Sequence, residues 1–165
     1  MAIRIGRVRY VLAALAGLLV VACGGAASTA STPTPAATHS AAPSAAPVVG
    51  TRTATVDGKS ETIFVDAKGL TLYYYTPDKG GTVTCTGKCL AAWPPVVLPS
   101  GVSKPSGPSM AGDKLGTVSG PSGTQVTFNG WPLYTYAEDT KPGDVTGQNV
   151  GGKWFVVTPD TPPAK

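Results

Sequence analysis

Apolar and polar residues fall along the chain in three regimes. Tyr10 to Ala22 is an unbroken run of 13 apolar or small residues. That suits the core of an export signal and is too short for a membrane-crossing helix, which needs about 20. From Gly24 to Gly50 apolar bulk nearly vanishes, Val48 and Val49 being the exceptions. Beyond this, short apolar runs return, bounded by Gly, Pro, Asn and Asp, at the spacing of strands. Glu61–Asp66 reads as a strand, Ala67–Gly69 as a turn and Leu70–Tyr75 as the returning strand. Thr124–Phe128, Asn129-Gly130 and Trp131–Tyr136 repeat that order. Asn-Gly is a strong signal for a two-residue hairpin turn, and Pro132 points to an edge or a strand start. Lys114–Val118 is expected to pair with Thr124–Phe128 across Pro121-Ser122-Gly123, and Trp154–Thr158 to form a last strand. Cys85 to Pro95 reads as one helical turn stopped by two prolines. Residues 97–112 read as a Ser/Pro/Gly loop, and no segment carries a long amphipathic helical period.

The two hairpins belong to an internal repeat. Sliding the chain on itself by 61 residues, without gaps, lays Ile63–Val97 over Thr124–Thr158. Eight of the 35 positions are identical: Val65/Val126, Gly69/Gly130, Leu72/Leu133, Tyr73/Tyr134, Tyr75/Tyr136, Asp78/Asp139, Trp93/Trp154 and Val96/Val157. The expected fold is therefore mainly β: a small, sheet- or sandwich-like domain of two pseudo-symmetric β-hairpin repeats. The repeats cover about 60–98 and 121–160 within a domain spanning 51–165, preceded by a disordered linker.

Charge refines the picture of the first 50 residues. The chain carries 13 Lys and Arg against 9 Asp and Glu. Arg4, Arg7 and Arg9 precede the apolar run, and no acidic residue occurs before Asp57. From Cys23 onward the two signs nearly balance, which argues against a nucleic-acid partner, since such a protein carries its basic face on the folded part. The run ends Val20-Val21-Ala22-Cys23-Gly24, which resembles a bacterial lipobox. On that reading residues 1–22 are a signal peptide, and Cys23 carries the lipid that attaches the chain to a membrane face. Residues 24–50 hold nine Ala, four Ser, four Thr and four Pro with no charge. Such a segment cannot bury enough surface to offset its ordering entropy. It reads as a spacer with a reach of about 30 Å. The single histidine, His39, lies within it, which excludes catalytic triads and multi-histidine zinc sites.

The repeated motif is Tyr-x-Tyr-x-x-Asp: Tyr73, Tyr75 and Asp78, then Tyr134, Tyr136 and Asp139. Strand alternation puts both tyrosines of a copy on one face. One reading is a polar aromatic surface that stacks on a ligand. The other is structural, with the rings, together with Trp93 and Trp154, as core and each Asp closing a turn through backbone N–H groups. Presence in both copies favours the structural reading. Cys85 and Cys89 form the other candidate. Their spacing on a helical turn suits the separation of a disulfide in an exported protein, while a redox pair or a soft-metal site are the alternatives. Gly81–Lys88 departs from a phosphate loop in its spacing and in Cys89. Adjacent Glu138 and Asp139 point to opposite faces of a strand. Only a pairing of Asp78 with Asp139 in a cleft would give a hydrolase.

Taken together, Leu72–Asp78, the Cys85-x3-Cys89-x3-Trp93-Pro94-Pro95 run, Asn129–Asp139 and Pro142–Gln148 resemble a family of bacterial secreted-repeat lipoproteins with a Tyr-x-(Phe/Trp/Tyr)-x-x-Asp motif. The resemblance spans about residues 60–158. It implies an exported, often lipid-anchored two-repeat domain and no particular activity. The expectation is a non-catalytic envelope lipoprotein without metal or cofactor. Its partners would be the membrane, through the lipid, and an envelope component or a small ligand. Thiol redox or soft-metal handling through Cys85 and Cys89 is the alternative.

Overall fold

The computed structural model describes residues 48–165. The expected signal peptide, Cys23, His39 and the spacer up to residue 47 lie outside the described residues. Strands β1 (Val49–Val56) and β2 (Lys59–Asp66) form an antiparallel hairpin in which Val49 faces Asp66 and Val56 faces Lys59. Its turn is Asp57-Gly58, both residues at positive φ (49° and 80°). That is the backbone a two-residue hairpin loop requires, and Asp and Gly tolerate it best. A short strand β3 (Tyr73–Tyr75) and a one-turn helix α1 (Lys88–Ala92) follow. Strands β4 (Leu115–Gly120), β5 (Gly123–Phe128) and β6 (Trp131–Pro132) form a second meander, and β7 (Trp154–Val156) closes the chain's regular structure. The strands sort into three small sheets, β1-β2, β3-β7 and β4-β5-β6.

The two repeats exchange their last strands. β7 of the second copy pairs with β3 of the first, Tyr73 facing Val156 and Tyr75 facing Trp154. In the first copy Pro94 and Pro95 occupy the places of Phe155 and Val156. They lack the N–H that a ladder needs, so no strand forms there. The same crossing survives through backbone carbonyls of this segment: Thr135 N donates to Pro94 O (2.9 Å) and Ala137 N to Ala92 O (2.9 Å). The latter mirrors Thr76 N to Lys153 O (2.9 Å). Deeper in, two cycles of three backbone hydrogen bonds repeat the pattern. Phe64 N donates to Val157 O, Val157 N to Leu72 O and Leu72 N to Phe64 O. Val126 N donates to Val96 O, Val96 N to Leu133 O and Leu133 N to Val126 O. Each hairpin is thus completed by a segment of the other repeat. Tyr73 and Tyr134 meet at the centre, each N–H donating to the other's carbonyl (2.8 and 3.0 Å).

Two buried clusters result. One gathers Val49, Phe64, Leu72, Val96, Phe128, Leu133 and Val157. The other gathers Val56, Ile63, Val65, Tyr73, Trp93, Tyr134 and Trp154. β2 divides them. Ile63, Phe64 and Val65 are all buried, and alternation sends Phe64 to the first cluster and its neighbours to the second.

The mainly β, two-repeat fold agrees with the sequence pattern, and several boundaries are corrected. β1 was not expected as a strand: a domain beginning at 51 leaves Val48 and Val49 in the spacer, yet Val49 is fully buried and opens β1. Leu70–Tyr75 and Trp131–Tyr136 are regular strands only at Tyr73–Tyr75 and Trp131–Pro132, because Leu72 and Leu133 each divide their backbone bonds, the N–H to their own hairpin and the carbonyl to the exchanged segment, which interrupts a continuous ladder. The last strand ends at Val156 rather than Thr158, because Val157 divides its bonds between Leu72 and Phe64 of the first hairpin. The β4–β5 turn is Pro121-Ser122, with Gly120 facing Gly123. The gapless 61-residue offset also slips by one. The first turn has three residues, Ala67–Gly69, closed by Asp66 N to Leu70 O, whereas the second has two, with Phe128 facing Trp131. Before the turn the equivalent of Phe64 is Val126, so the identity Val65/Val126 is not a structural equivalence.

Candidate functional site

The repeated motif lies on the pseudo-dyad between the copies. The Tyr73 hydroxyl donates to Asp139 Oδ2 (2.6 Å), and the Tyr134 hydroxyl donates to Asp78 Oδ2 (2.6 Å). Each tyrosine therefore bonds the aspartate of the other repeat. The second oxygen of each carboxylate shapes its own repeat's loop. Asp78 Oδ1 accepts from Thr84 N and Thr84 Oγ1 (2.8 and 2.6 Å). Asp139 Oδ1 accepts from Thr146 N and Thr146 Oγ1 (3.0 and 2.5 Å). Both aspartates are buried, at 0% and 4% exposure. Three donors each compensate the burial of the carboxylates. Burial, and next the hydrogen bond to a carboxylate, push both phenols well above the ordinary tyrosine value of 10.0. An anionic phenolate there would lose its hydration and face a negative charge.

Aromatic rings fill the rest of the dyad. Trp93 and Trp154 stack face to face, 3.8 Å between centroids and 1° from parallel. Tyr136 stacks on the outer face of Trp93 and Tyr75 on that of Trp154, both at 4.2 Å. The result is a column of four rings, two from each copy. Tyr73 meets Trp93 edge-on (5.4 Å), and Tyr134 meets Trp154 edge-on (5.2 Å). Strand alternation does bring both tyrosines of a copy to this side, but their jobs differ. Tyr73 and Tyr134 are fully buried, whereas Tyr75 and Tyr136 cap the column half-exposed.

After the motif threonines the copies diverge. Gly147 N donates to the Tyr73 hydroxyl (3.2 Å), and a Cβ on Gly147 would lie 2.8 Å from both Trp93 and Tyr73 ring atoms. The position following Thr84 in the first copy is Cys85, 1% exposed and part of the aromatic cluster. A disulfide joins it to Cys89 in α1, with the Cα atoms 5.4 Å apart. Cys85 itself precedes the helix rather than lying in it. Trp93 N donates to Cys89 O (2.8 Å), which ends the helix and sets Trp93 into the column.

Chemically, the motif is a clamp. Its carboxylates are enclosed and fully hydrogen-bonded, so they do not form the open pair that hydrolysis of a glycoside needs. Among the described residues no buried side-chain polar atom lacks a partner. Thr84, Thr146 and Gly147 are site residues that the sequence reasoning missed. Their signal was an aspartate followed six or seven residues later by threonine in both copies.

A family model described as a secreted repeat of unknown function matches residues 54–97 and again 116–158. The two matches cover more than half of the chain, and the chain belongs to this family of secreted repeats. The family places the chain outside the cytoplasm, where disulfides persist. No curated protein and no solved structure matches. Among the described residues no helix is long and apolar enough to cross a membrane.

Proposed function

We propose that the protein is a cell-envelope lipoprotein, anchored through a lipid on Cys23, whose two-repeat domain acts as a non-catalytic binding module. The observation that carries the anchoring is the order of three arginines, a 13-residue apolar run and Val20-Val21-Ala22-Cys23-Gly24. A lipid on Cys23 holds the chain to a membrane face without a span. The 27 residues from Gly24 to Gly50 set the domain off from that face. The binding role is supported by a rigid, cross-clamped scaffold whose carboxylates and buried hydroxyls are used internally, which leaves its exposed rims and loops for recognition. Cys23→Ala is expected to abolish fatty-acid labelling and to move the protein out of the detergent phase. Unchanged partitioning of that variant would refute the anchor.

A second reading has one observation in its favour. Cys89 is part-exposed while Cys85 is buried, which makes Cys89 the member of the pair that an external thiolate would attack. Thiol redox exchange would then release Cys85 as the leaving group. Peptide mapping of the natively exported protein separates the readings: an intact, slowly reduced bridge supports a structural staple, and two rapidly alkylated thiols support exchange.

A further inference from the structure

The pseudo-dyad sets a column of oxidisable rings beside two built-in proton acceptors. Trp93 and Trp154 lie 3.8 Å apart and 1° from parallel, with Tyr136 and Tyr75 on their outer faces at 4.2 Å. Tyr73 and Tyr134 meet the two indoles edge-on at 5.4 and 5.2 Å. Each of these phenols already points its proton at a carboxylate oxygen 2.6 Å away. Holding two repeats together does not by itself call for this combination. The domain's other Trp–Tyr stack shows the contrast. Trp131 and Tyr74 lie 4.8 Å apart, but the Trp131 N–H goes to the Pro162 carbonyl, and the free carboxylate oxygens are taken by Tyr73 and Tyr134.

Removal of one electron from this column meets three favourable conditions. The positive hole is shared between two parallel indoles in van der Waals contact, so it costs less there than on a single ring. Asp78 and Asp139 place buried negative charge beside it, and opposite charges attract strongly where water is excluded. Lastly, Tyr73 can give its electron to Trp93 and its proton to Asp139 in one event, across a hydrogen bond that already exists. A neutral phenoxyl and a neutral carboxyl then replace a phenol and a carboxylate. Oxidation thus removes a charge that burial disfavours. Loss of the proton alone is closed to these phenols, whose acidity is suppressed by burial and by the neighbouring carboxylate. Among the described residues no thiol competes for the hole, because Cys85 and Cys89 are joined.

We propose that the dyad is a one-electron relay, which takes oxidising equivalents from peroxyl-class radicals outside the cytoplasm and holds them on Tyr73 or Tyr134. The peroxyl radical gains one electron from the column and one proton from water, and leaves as the hydroperoxide. The column refills from Tyr73, whose hydroxyl proton moves to Asp139 Oδ2; Tyr134 and Asp78 form the equivalent pair. An enediol donor then returns one electron and releases its own proton to water, while the proton on Asp139 goes back to Tyr73. Electrons cross several ångströms without contact, so entry needs no open face at the half-buried Tyr75 and Tyr136. This use of the interior goes beyond the binding-module reading and does not depend on it.

The test is flash photolysis of the full chain in detergent micelles, with tris(bipyridine)ruthenium as photo-oxidant and persulfate as sacrificial acceptor. Transient absorption and electron paramagnetic resonance distinguish indole from phenoxyl radicals. The expected sequence is an indole radical that converts to a phenoxyl radical living roughly tenfold longer than in the urea-unfolded chain. Ascorbate, an enediol, is expected to discharge it. Tyr73→Phe combined with Tyr134→Phe should leave the radical on the indoles and shorten its life roughly tenfold, whereas Tyr74→Phe should change neither. Conversion from indole to phenoxyl should slow in heavy water, because the proton crosses to the aspartate with the electron. A radical that stays on the indoles of the wild type would overturn the proposal, as would a phenoxyl signal that survives the double substitution. So would a lifetime no longer than in the unfolded chain. No slowing in heavy water, read on the wild type whatever the fold of the double variant, would overturn it too.

Discussion

The two repeats share one clamp and differ in everything around it. Across the pseudo-dyad, tyrosine to aspartate, aspartate to threonine and tryptophan on tryptophan recur with nearly equal geometry. Off the dyad, β2 buries Ile63 and Val65 where β5 buries Gln125 and Thr127. Gln125 is accommodated by donating to Leu133 O (2.9 Å). A disulfide and a helical turn in one copy replace a glycine loop in the other, and the residues after β7 cross the Asn129-Gly130 turn of the second copy. The difference teaches which residues the exchange itself requires. The clamp and ring-column side chains that join the copies are held in common, while the exchanged segments keep their backbone crossing with different side chains, Pro94 and Pro95 in one copy and Phe155 and Val156 in the other.

Substitutions on the dyad should therefore act equally in both copies, and substitutions off it should not. The largest effect is expected for Trp93→Ala and Trp154→Ala. Each removes the centre of the ring column and should cost about 4 kcal/mol, the two agreeing within about 0.5 kcal/mol by chemical denaturation. Next are Asp78→Ala and Asp139→Ala, which strand a buried phenol, a hydroxyl and a backbone N–H. Each should cost about 3 kcal/mol, more than a simple turn-closing aspartate would. Strong asymmetry within either pair would break the comparison.

The disulfide sharpens it from the other side, since only one copy has it. Replacing Cys85 and Cys89 by Ser is expected to cost about 2 kcal/mol or less, because the closed loop is short. Increased amide exchange should be confined to Thr82–Pro95. Exchange rising equally around Gly147 would show that the bridge supports both copies.

The smallest effect carries a pH signature. Tyr73→Phe and Tyr134→Phe each leave a carboxylate oxygen without its donor and should cost about 1–2 kcal/mol at neutral pH. Both phenols are raised above their ordinary value, by burial first and the carboxylate second. The native state therefore keeps protons that the unfolded chain releases, and stability that is complete below about pH 10 is lost as pH rises beyond it. The melting temperature should fall steeply above about pH 10 in the wild type and less steeply in the Tyr→Phe variants. Equal alkaline slopes would contradict the placement of these hydroxyls.

Much of this was legible in the sequence, within limits set by physics. Local signals reported local structure: Asn129-Gly130 marked its turn, and the spacing of the identities marked the repeat. The motif residues were identified, but a period-two pattern says which face a side chain takes and nothing about which strand it will meet. The exchange is a tertiary choice. In the first copy it is also masked by Pro94 and Pro95, which keep the crossing while removing the strand. β1 escaped notice because its burial is confined to its ends, Val49 and Val56, and its middle is Thr and Arg.

The central claim is that neither repeat is complete without the other's last strand. The most direct measurement is thermal unfolding, by near-ultraviolet circular dichroism, of a fragment spanning residues 48–110 at concentrations where sedimentation shows it to be monomeric. The exchange predicts no cooperative transition and no signal from stacked tryptophans, because β3 then lacks β7 and Trp93 lacks Trp154. A monomeric fragment that melts cooperatively, with ordered aromatic signals, would contradict it.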